Sequence, residues 1–262
     1  MKFAKYEGAG NDFILIDDRN EEFLIGRELI QTLCHRRFGI GADGLILLRK
    51  DPSADVRMRI FNRDGSEAEG CGNGVRCLMQ FCIDLGFPLK KTTIALSDRI
   101  LIAERLEEGV SVQMGEMRGM RLHLSVDDHQ IHFVDSGVPH AVSFVENIES
   151  FPVDQLGREI RFHSCFAPAG ANVNFAQLQE DGVVRVRTYE RGVEGETLAC
   201  GTGAVAVAAL GAKLFGWKSP VAIKASGGAL FVHFDSEFKN MFLVGQARRV
   251  FWGSFSLKDI FK

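Results

Sequence analysis

A chain of 262 residues is long enough for one large domain or two of ordinary size. Hydrophobic residues at 46 % and charged residues at 25 % are those of a chain that can bury a core, which excludes a mainly disordered protein. The net charge of −3 supplies no basic face, so nucleic acid is not expected as a partner. The N-terminus, Met1-Lys2-Phe3-Ala4-Lys5-Tyr6-Glu7, lacks the apolar core of an export signal. The longest uncharged stretch, Thr197 to Ala212, is glycine-interrupted and shorter than the roughly 20 residues that cross a bilayer. No membrane span is expected, and the cytoplasm is the expected compartment.

In chain order, Phe13 to Ile16 reads as a short buried strand, and Glu28 to Phe38 carries apolar residues at helical spacing. Leu45 to Leu48 is a second buried strand, and Val56 to Phe61 alternates as a strand with one wet face. Val75 to Leu85 predicts a helix stopped near Gly86, with Pro88 beyond. Residues 93–135 alternate in short runs, as several antiparallel strands would. Val183 to Tyr189 is another alternating strand, and Ala204 to Leu214 another helix, ended near Gly216. Short strands then follow to about residue 257.

An internal repeat organises this pattern. Val56-Arg57-Met58-Arg59-Ile60-Phe61-Asn62-Arg63 matches Val184-Arg185-Val186-Arg187-Thr188-Tyr189-Glu190-Arg191. Each strand runs through a Gly/Glu-rich loop into Cys-Gly-x-Gly, Cys71 to Gly74 and Cys200 to Gly203, and then into an apolar helix. The offset is 128 residues from Val56 to Val184 and 129 from Cys71 to Cys200, so the second loop holds one extra residue. We expect two pseudo-symmetric α+β domains, 1–117 carrying Cys71 and 118–262 carrying Cys200, with the last strand able to pack back on the first half.

Six cysteines, at 34, 71, 77, 82, 165 and 200, form no Cys-x-x-Cys pair, which argues against zinc and thioredoxin chemistry. A chain of this length needs no disulfides. Most of these cysteines read as small buried residues, Cys77 and Cys82 as core. Cys71 and Cys200 differ because each sits where a helix begins. The first N–H groups of a helix lack an intrahelical partner, and the aligned dipoles place about half a positive charge there. Glycines let a ligand approach that backbone, so each motif is an anion site with a thiol beside it. Two such units facing each other suit an amino acid: the α-carboxylate takes the helix ends and the sulfurs flank Cα. One thiolate removes the α-proton, and the opposite thiol protonates the other face. A lone cysteine at a helix start is more often a packed small residue; the matched repeat shifts the balance toward catalysis.

At these residues the chain resembles the diaminopimelate epimerases. The similarity runs through Gly8-Ala9-Gly10-Asn11-Asp12-Phe13, Gly39 to Gly44, Phe61-Asn62-Arg63-Asp64-Gly65-Ser66, Cys71 to Cys77, Gly137-Val138-Pro139-His140, Ala171-Asn172-Val173-Asn174-Phe175, and Tyr189 through Gly203. The resemblance implies interconversion of LL- and meso-diaminopimelate in lysine and peptidoglycan synthesis, with no cofactor and no metal. It implies Cys71 and Cys200 as the acid/base pair. Gly72, Asn73, Gly201 and Thr202 would hold the reacting carboxylate through their N–H groups. Asn11, Asn62, Asn172, Glu190 and Arg191 would bind the rest of the substrate, and His140 and Glu190 would tune the thiols. The implied fold is a mostly antiparallel sheet wrapped round a central helix, twice over, in a homodimer. Read without the resemblance, Asn11 could stabilise its turn, His140 could be structural, and Arg191 could be a solvated charge.

Two positions depart from the family pattern: Val138 stands where Asn is usual, and Gly44 where Gln is usual. Val138 lacks an amide for the distal end of the substrate, and Gly44 is expected to leave space. Both changes point to a broader substrate range. Two alternative functions follow: a cofactor-independent racemase of glutamate or another small amino acid, and a thiol redox or metal-binding protein using Cys71, Cys77 and Cys200. Gly39 to Gly44 also fits Gly-x-Gly-x-x-Gly, but a strand follows it rather than a helix, against dinucleotide binding.

Overall fold

Strands dominate because the apolar residues come in short alternating or continuous runs. The computed structural model describes residues 1–68, 70–88 and 90–256. Two units emerge, Met1–Val112 joined by the chain from Gly245 onward, and Gln113–Val244. The chain thus changes unit at Val112/Gln113 and again at Val244/Gly245, beside an expected single boundary at 117/118.

In the first unit, β1 (Lys2–Gly8) and β2 (Asn11–Asp17) form an antiparallel hairpin. Helix α1 (Arg27–Cys34) leads into β3 (Gly44–Arg49), parallel to β2. β4 (Val56–Asn62) pairs antiparallel with β3 and with the short β5 (Glu67–Ala68). Helix α2 (Gly72–Asp84) follows, then β6 (Lys91–Ala95) parallel to β4, β7 (Ile100–Arg105) and β8 (Val110–Gly115). Helix α2 packs on β1, β2, β3, β4 and β7. It buries Val75, Cys77, Leu78, Met79, Phe81 and Cys82 on them.

The second unit repeats the plan. β9 (Arg118–Val126) and β10 (His129–Asp135) pair antiparallel, and β10 pairs with β11 (Pro139–Phe144). Helix α3 (Val153–Phe162) precedes β12 (Asn172–Leu178), which is parallel to β11. β13 (Val184–Glu190) pairs antiparallel with β12 and with β14 (Gly195–Thr197). Helix α4 (Gly201–Phe215) leads to β15 (Val221–Ala225), parallel to β13, then β16 (Gly228–Phe234) and β17 (Met241–Gly245). β18 (Arg248–Ser254) returns to the first unit, antiparallel to β1. Residues 203–211 of α4 are buried on every side, the mark of a helix enclosed by other elements. It ends at Gly216, whose φ of 72° is the left-handed conformation that suits glycine.

The correspondence reaches the register. Val56 pairs with Ile94 and Arg57 with Ala95, as Val184 pairs with Ile223 and Arg185 with Lys224. Phe61 faces Glu67 as Tyr189 faces Glu196. The expected fold class, a mostly antiparallel sheet round a central helix in each of two repeated units, is the one observed.

Some elements differ from the sequence reading. β1 was not foreseen, because Lys5 and Glu7 break its apolar pattern; Lys5 is buried through an ion pair with Asp12 at 2.8 Å. Helix α3 was not foreseen either, although Pro152 and Asp154 mark its start. Helix α1 stops at Cys34 rather than Phe38, because His35 turns extended and the chain enters a glycine loop. Both central helices begin earlier than their apolar runs, at the glycine after each cysteine. Residue 257, where the last strands were expected to end, lies outside the described residues. Among the described residues no helix is long and apolar enough to cross a membrane.

Candidate active site

Cys71 is the N-cap of α2, with extended backbone at φ −153° and ψ 121°. Its carbonyl accepts the first helical hydrogen bond from Val75 N at 2.9 Å. The N–H groups of Gly72, Asn73 and Gly74 therefore have no acceptor within the helix and point out past the cysteine. Cys200 repeats this geometry at the head of α4, with φ −116°, ψ 111° and Ala204 N bonded to its carbonyl at 2.9 Å. Both cysteines are half-buried, which leaves each within reach of a ligand. Cys34, Cys77 and Cys82 are buried, and burial pushes the thiols of Cys34 and Cys82 up to about 12 and that of Cys77 higher still. Cys165 is exposed.

In the first unit Cys71 Sγ lies 3.6 Å from Asn11 Oδ1. Asn11 is held from two sides: its Nδ2 donates to Asp43 Oδ2 at 2.9 Å, and its Oδ1 accepts from Asn73 Nδ2 at 3.4 Å. Asp43 shares Arg36 with Asp12. Burial alone would raise the Asp12 carboxyl, but hydrogen bonds from Arg36 and Lys5 outweigh it and hold the group well below the usual carboxylate range. The unit thus brings together Cys71, Gly72, Asn73 and Asn11. Asn62 lies at the exposed end of β4, opposite Gly44 in register, with its amide on Ser66 Oγ at 3.0 Å.

In the second unit Cys200 Sγ is 3.4 Å from Thr202 Oγ1, and Thr202 O accepts from Ser136 Oγ at 3.0 Å. Behind this cap stands Asn174, fully buried. Its Oδ1 accepts from Thr188 Oγ1 at 3.0 Å, and its Nδ2 lies 3.0 Å from His140 Nδ1. An amide nitrogen only donates, so His140 Nδ1 is the acceptor and the ring proton sits on Nε2. His140 is fully buried; that burial, with the Arg191 charge, lowers its pKa from 6.5 to about 3, so the ring is neutral at physiological pH. Asn172 stands beside His140 in the parallel register and accepts from Arg191 N at 2.9 Å. Arg191 Nη1 also donates to Gly170 O at 3.4 Å. Burial raises the Glu190 carboxyl above its ordinary value, favouring the neutral acid. His140, Asn172, Glu190 and Arg191 thus gather on β11, β12 and the end of β13.

The two family departures have structural consequences. Gly44 does not leave space, contrary to the sequence reading: a Cβ there would lie 2.5 Å from Phe61 O and 3.4 Å from the Phe13 ring. The backbone at this point accepts a side chain only if β3 or β4 moves. Val138 is half-buried in the turn before β11, and its carbonyl accepts from Ser136 N at 3.2 Å. Asn174, Asp43, Thr188 and Arg76 carry supporting roles that no sequence motif marked. Asn174 had a signal, a polar residue on the inward side of an apolar strand. Arg76 had one too, a charge inside an apolar helix.

This doubled unit defines a fold that other solved proteins share. A phenazine biosynthesis protein of the PhzF family from Bacillus anthracis superposes with a TM-score of 0.76 at 16 % identity, covering 98 % of this chain and 99 % of that one. A probable proline racemase from Agrobacterium radiobacter K84 gives 0.71 at 15 %, over 98 % and 93 %. The family model described as diaminopimelate epimerase matches residues 3–119 and 132–250. A diaminopimelate epimerase from Flavobacterium psychrophilum is 43 % identical over 96 % of this chain and 98 % of its own. One from Aquifex aeolicus is 42 % identical over 98 % of each. The chain belongs to the diaminopimelate epimerase family.

Proposed function

We propose that this enzyme is an amino-acid epimerase that interconverts LL- and meso-diaminopimelate in lysine and peptidoglycan synthesis, with Cys71 and Cys200 as its proton carriers. Family membership supports the reaction, and the cysteine N-cap found at the head of both central helices supports the roles. The α-hydrogen of an amino-acid carboxylate is a weak acid. Removing it puts further negative charge on the carboxylate oxygens. Backbone donors aimed there stabilise that charge, each by about 2.7–4 kcal/mol in comparable sites. Gly72, Asn73, Gly201 and Thr202 carry such donors. One cysteine acts as thiolate and the other as thiol, so their titrations form one coupled system. Asn11, Asn62, Asn172, Glu190 and Arg191 hold the remainder of the substrate, with Arg191 suited to a distal carboxylate through its guanidinium fork. His140, whose burial keeps it neutral, and Glu190, whose carboxyl burial raises above its ordinary value, tune the thiols. We place the enzyme in the cytoplasm as a homodimer on the family resemblance.

The test is the reaction in heavy water with wild type, Cys71→Ser and Cys200→Ser. Wild type introduces deuterium at Cα of the product, and each variant loses inversion because one face lacks its proton carrier. Full activity in either variant, or inversion without solvent exchange, would refute the assignment.

A further inference from the structure

We propose that Arg76 is a positioning residue of the Cys71 cap: its guanidinium locks the side chain of Asn73, and through it Asn11, and sets a permanent positive charge behind the first carboxylate-binding helix end. This rests on the reading of Gly72 and Asn73 as carboxylate donors. Arg76 lies within the first turns of α2 and is wholly shielded from solvent, at 0 % exposure. A guanidinium in that position loses its hydration, a cost of several kcal/mol unless partners replace it. One partner is Asn73, whose Oδ1 accepts from Arg76 Nη2 at 2.8 Å. Arg76 Nε and Nη1 have no hydrogen-bond partner among the described residues.

The polarity of the chain is fixed at both ends. Arg76 only donates, so Asn73 must present its oxygen to it and its nitrogen to Asn11. Asp43 only accepts, so Asn11 must present its nitrogen to Asp43 and its oxygen to Asn73 and Cys71. Two amides that could each flip are thereby held in one orientation against the reacting sulfur. The close fit extends to β1, where a Cβ at Gly8 would come 3.5 Å from Arg76 Nη2 and 3.3 Å from Cys77 Sγ.

Among the described residues no carboxylate bonds the guanidinium, whose hydrogen bond runs to the neutral Asn73. Burial pushes the guanidinium down from its ordinary value, while Cys77, Cys71 and Glu7 act the other way. Burial holds Cys77 as a thiol. The Glu7 oxygens are already engaged by Gly10 N at 3.1 Å and Arg248 Nε at 2.6 Å. The repeat makes the point sharper. At the offset of 129 that relates Cys71 to Cys200, Arg76 corresponds to Val205, a buried apolar residue. The two caps share a backbone but not this buried guanidinium, so the first carries an electrostatic share of carboxylate stabilisation from within its own helix.

The experiment compares Arg76→Met and Arg76→Lys in the full chain, with circular dichroism as the folding control. Two readouts are taken: kcat and KM for diaminopimelate, and the ratio of iodoacetate to iodoacetamide alkylation rates at Cys71, followed on its peptide by mass spectrometry. The ratio cancels the thiolate fraction, since one sulfur attacks both reagents, and so reports local charge. Arg76→Met is expected to lower kcat about 10- to 100-fold, the loss of one charged hydrogen bond, with a smaller change in KM. It is expected to lower the anionic preference at Cys71 and leave that at Cys200 unchanged, and Arg76→Lys is expected to restore both readouts in large part. Equal losses in the two variants with an unmoved ratio, or an Arg76→Met enzyme within twofold of wild type, would overturn the proposal. Should Arg76→Met not fold, Arg76→Lys decides: its ratio must stay close to that of wild type. Failure of the wild type to epimerise diaminopimelate would sink the functional reading alone, because the alkylation ratio does not depend on turnover.

Discussion

Gly74 and Gly203 occupy the same place in the two central helices, yet replacing each by alanine should have unlike effects. Alanine is the better helix former by about 1 kcal/mol, so both substitutions start from a gain. At Gly74 the added methyl meets the Cδ1 atoms of Ile46 and Ile60, both at 3.1 Å, and lies in ordinary contact with Cys71 Cβ at 3.6 Å. The two Cδ1 atoms are ends of flexible side chains that can move by a few tenths of an ångström, at a cost comparable to the gain. At Gly203 the methyl would overlap Asn174 Oδ1. Asn174 cannot yield in the same way, because Thr188, His140 and the Ala141 carbonyl hold it, with contacts of 3.0, 3.0 and 3.1 Å. Displacing it leaves buried polar groups unsatisfied, at about 1–3 kcal/mol each, and adds overpacking strain of similar size. The net expectation is a change within about 1 kcal/mol for Gly74→Ala and a loss of roughly 2–4 kcal/mol for Gly203→Ala. Urea unfolding followed by circular dichroism measures both. Equal effects, or a stabilised Gly203→Ala protein, would refute the argument that Asn174 is a rigid support of the Cys200 cap.

Other expectations follow from the same geometry. The folded pKa of His140, about 3, lies below the unfolded value of 6.5, so the unfolded chain takes up a proton that the folded one refuses. Stability from this source is complete above about pH 6.5 and is lost as the pH falls toward 3; at about 1.4 kcal/mol per unit it declines by on the order of 3 kcal/mol by about pH 4. His140→Gln keeps an acceptor for Asn174 and cannot titrate, so its melting temperature should fall less steeply with acid; parallel curves would refute the assignment. Val138→Asn supplies an amide at a half-buried turn position and should sharpen discrimination between diaminopimelate and glutamate, measured as a ratio of kcat/KM values. Gly44→Gln should instead cost about 1–3 kcal/mol of stability with no gain in selectivity, because its Cβ meets the Phe61 carbonyl; an unchanged melting temperature would show that β3 gives way there.

The doubled architecture was legible because it is written twice. Alternating arginine strands, a Gly/Glu loop and Cys-Gly-x-Gly recur in one order, and local periodicity suffices to read each part. The positions of Cys71 and Cys200 at helix heads came from the same source, since glycine after cysteine and an apolar run beyond mark a helix start. What escaped was set by tertiary partners. β1 hides a lysine that Asp12 across the hairpin and the Gly41 carbonyl, 36 residues on, make tolerable, and the period of the apolar residues does not show that pairing. Gly44 looked like room for substrate because a missing side chain suggests a space; the fold fills that space with the backbone of β4.

Asn174 and Arg76 were passed over for a related reason. Each is a polar residue in an apolar setting, and each supports a residue that was named: Asn174 stands behind the Cys200 cap, and Arg76 behind Asn73. Sequence motifs emphasise groups that would touch substrate, whereas a buried polar group declares itself only when its burial and its partners are known. The two units solve the same support problem differently, one with a neutral amide held by Thr188 and His140, the other with a guanidinium behind a pair of amides. The duplicated backbone therefore does not dictate what stands behind its caps: the same helix position holds the buried Arg76 in one unit and the buried Val205 in the other.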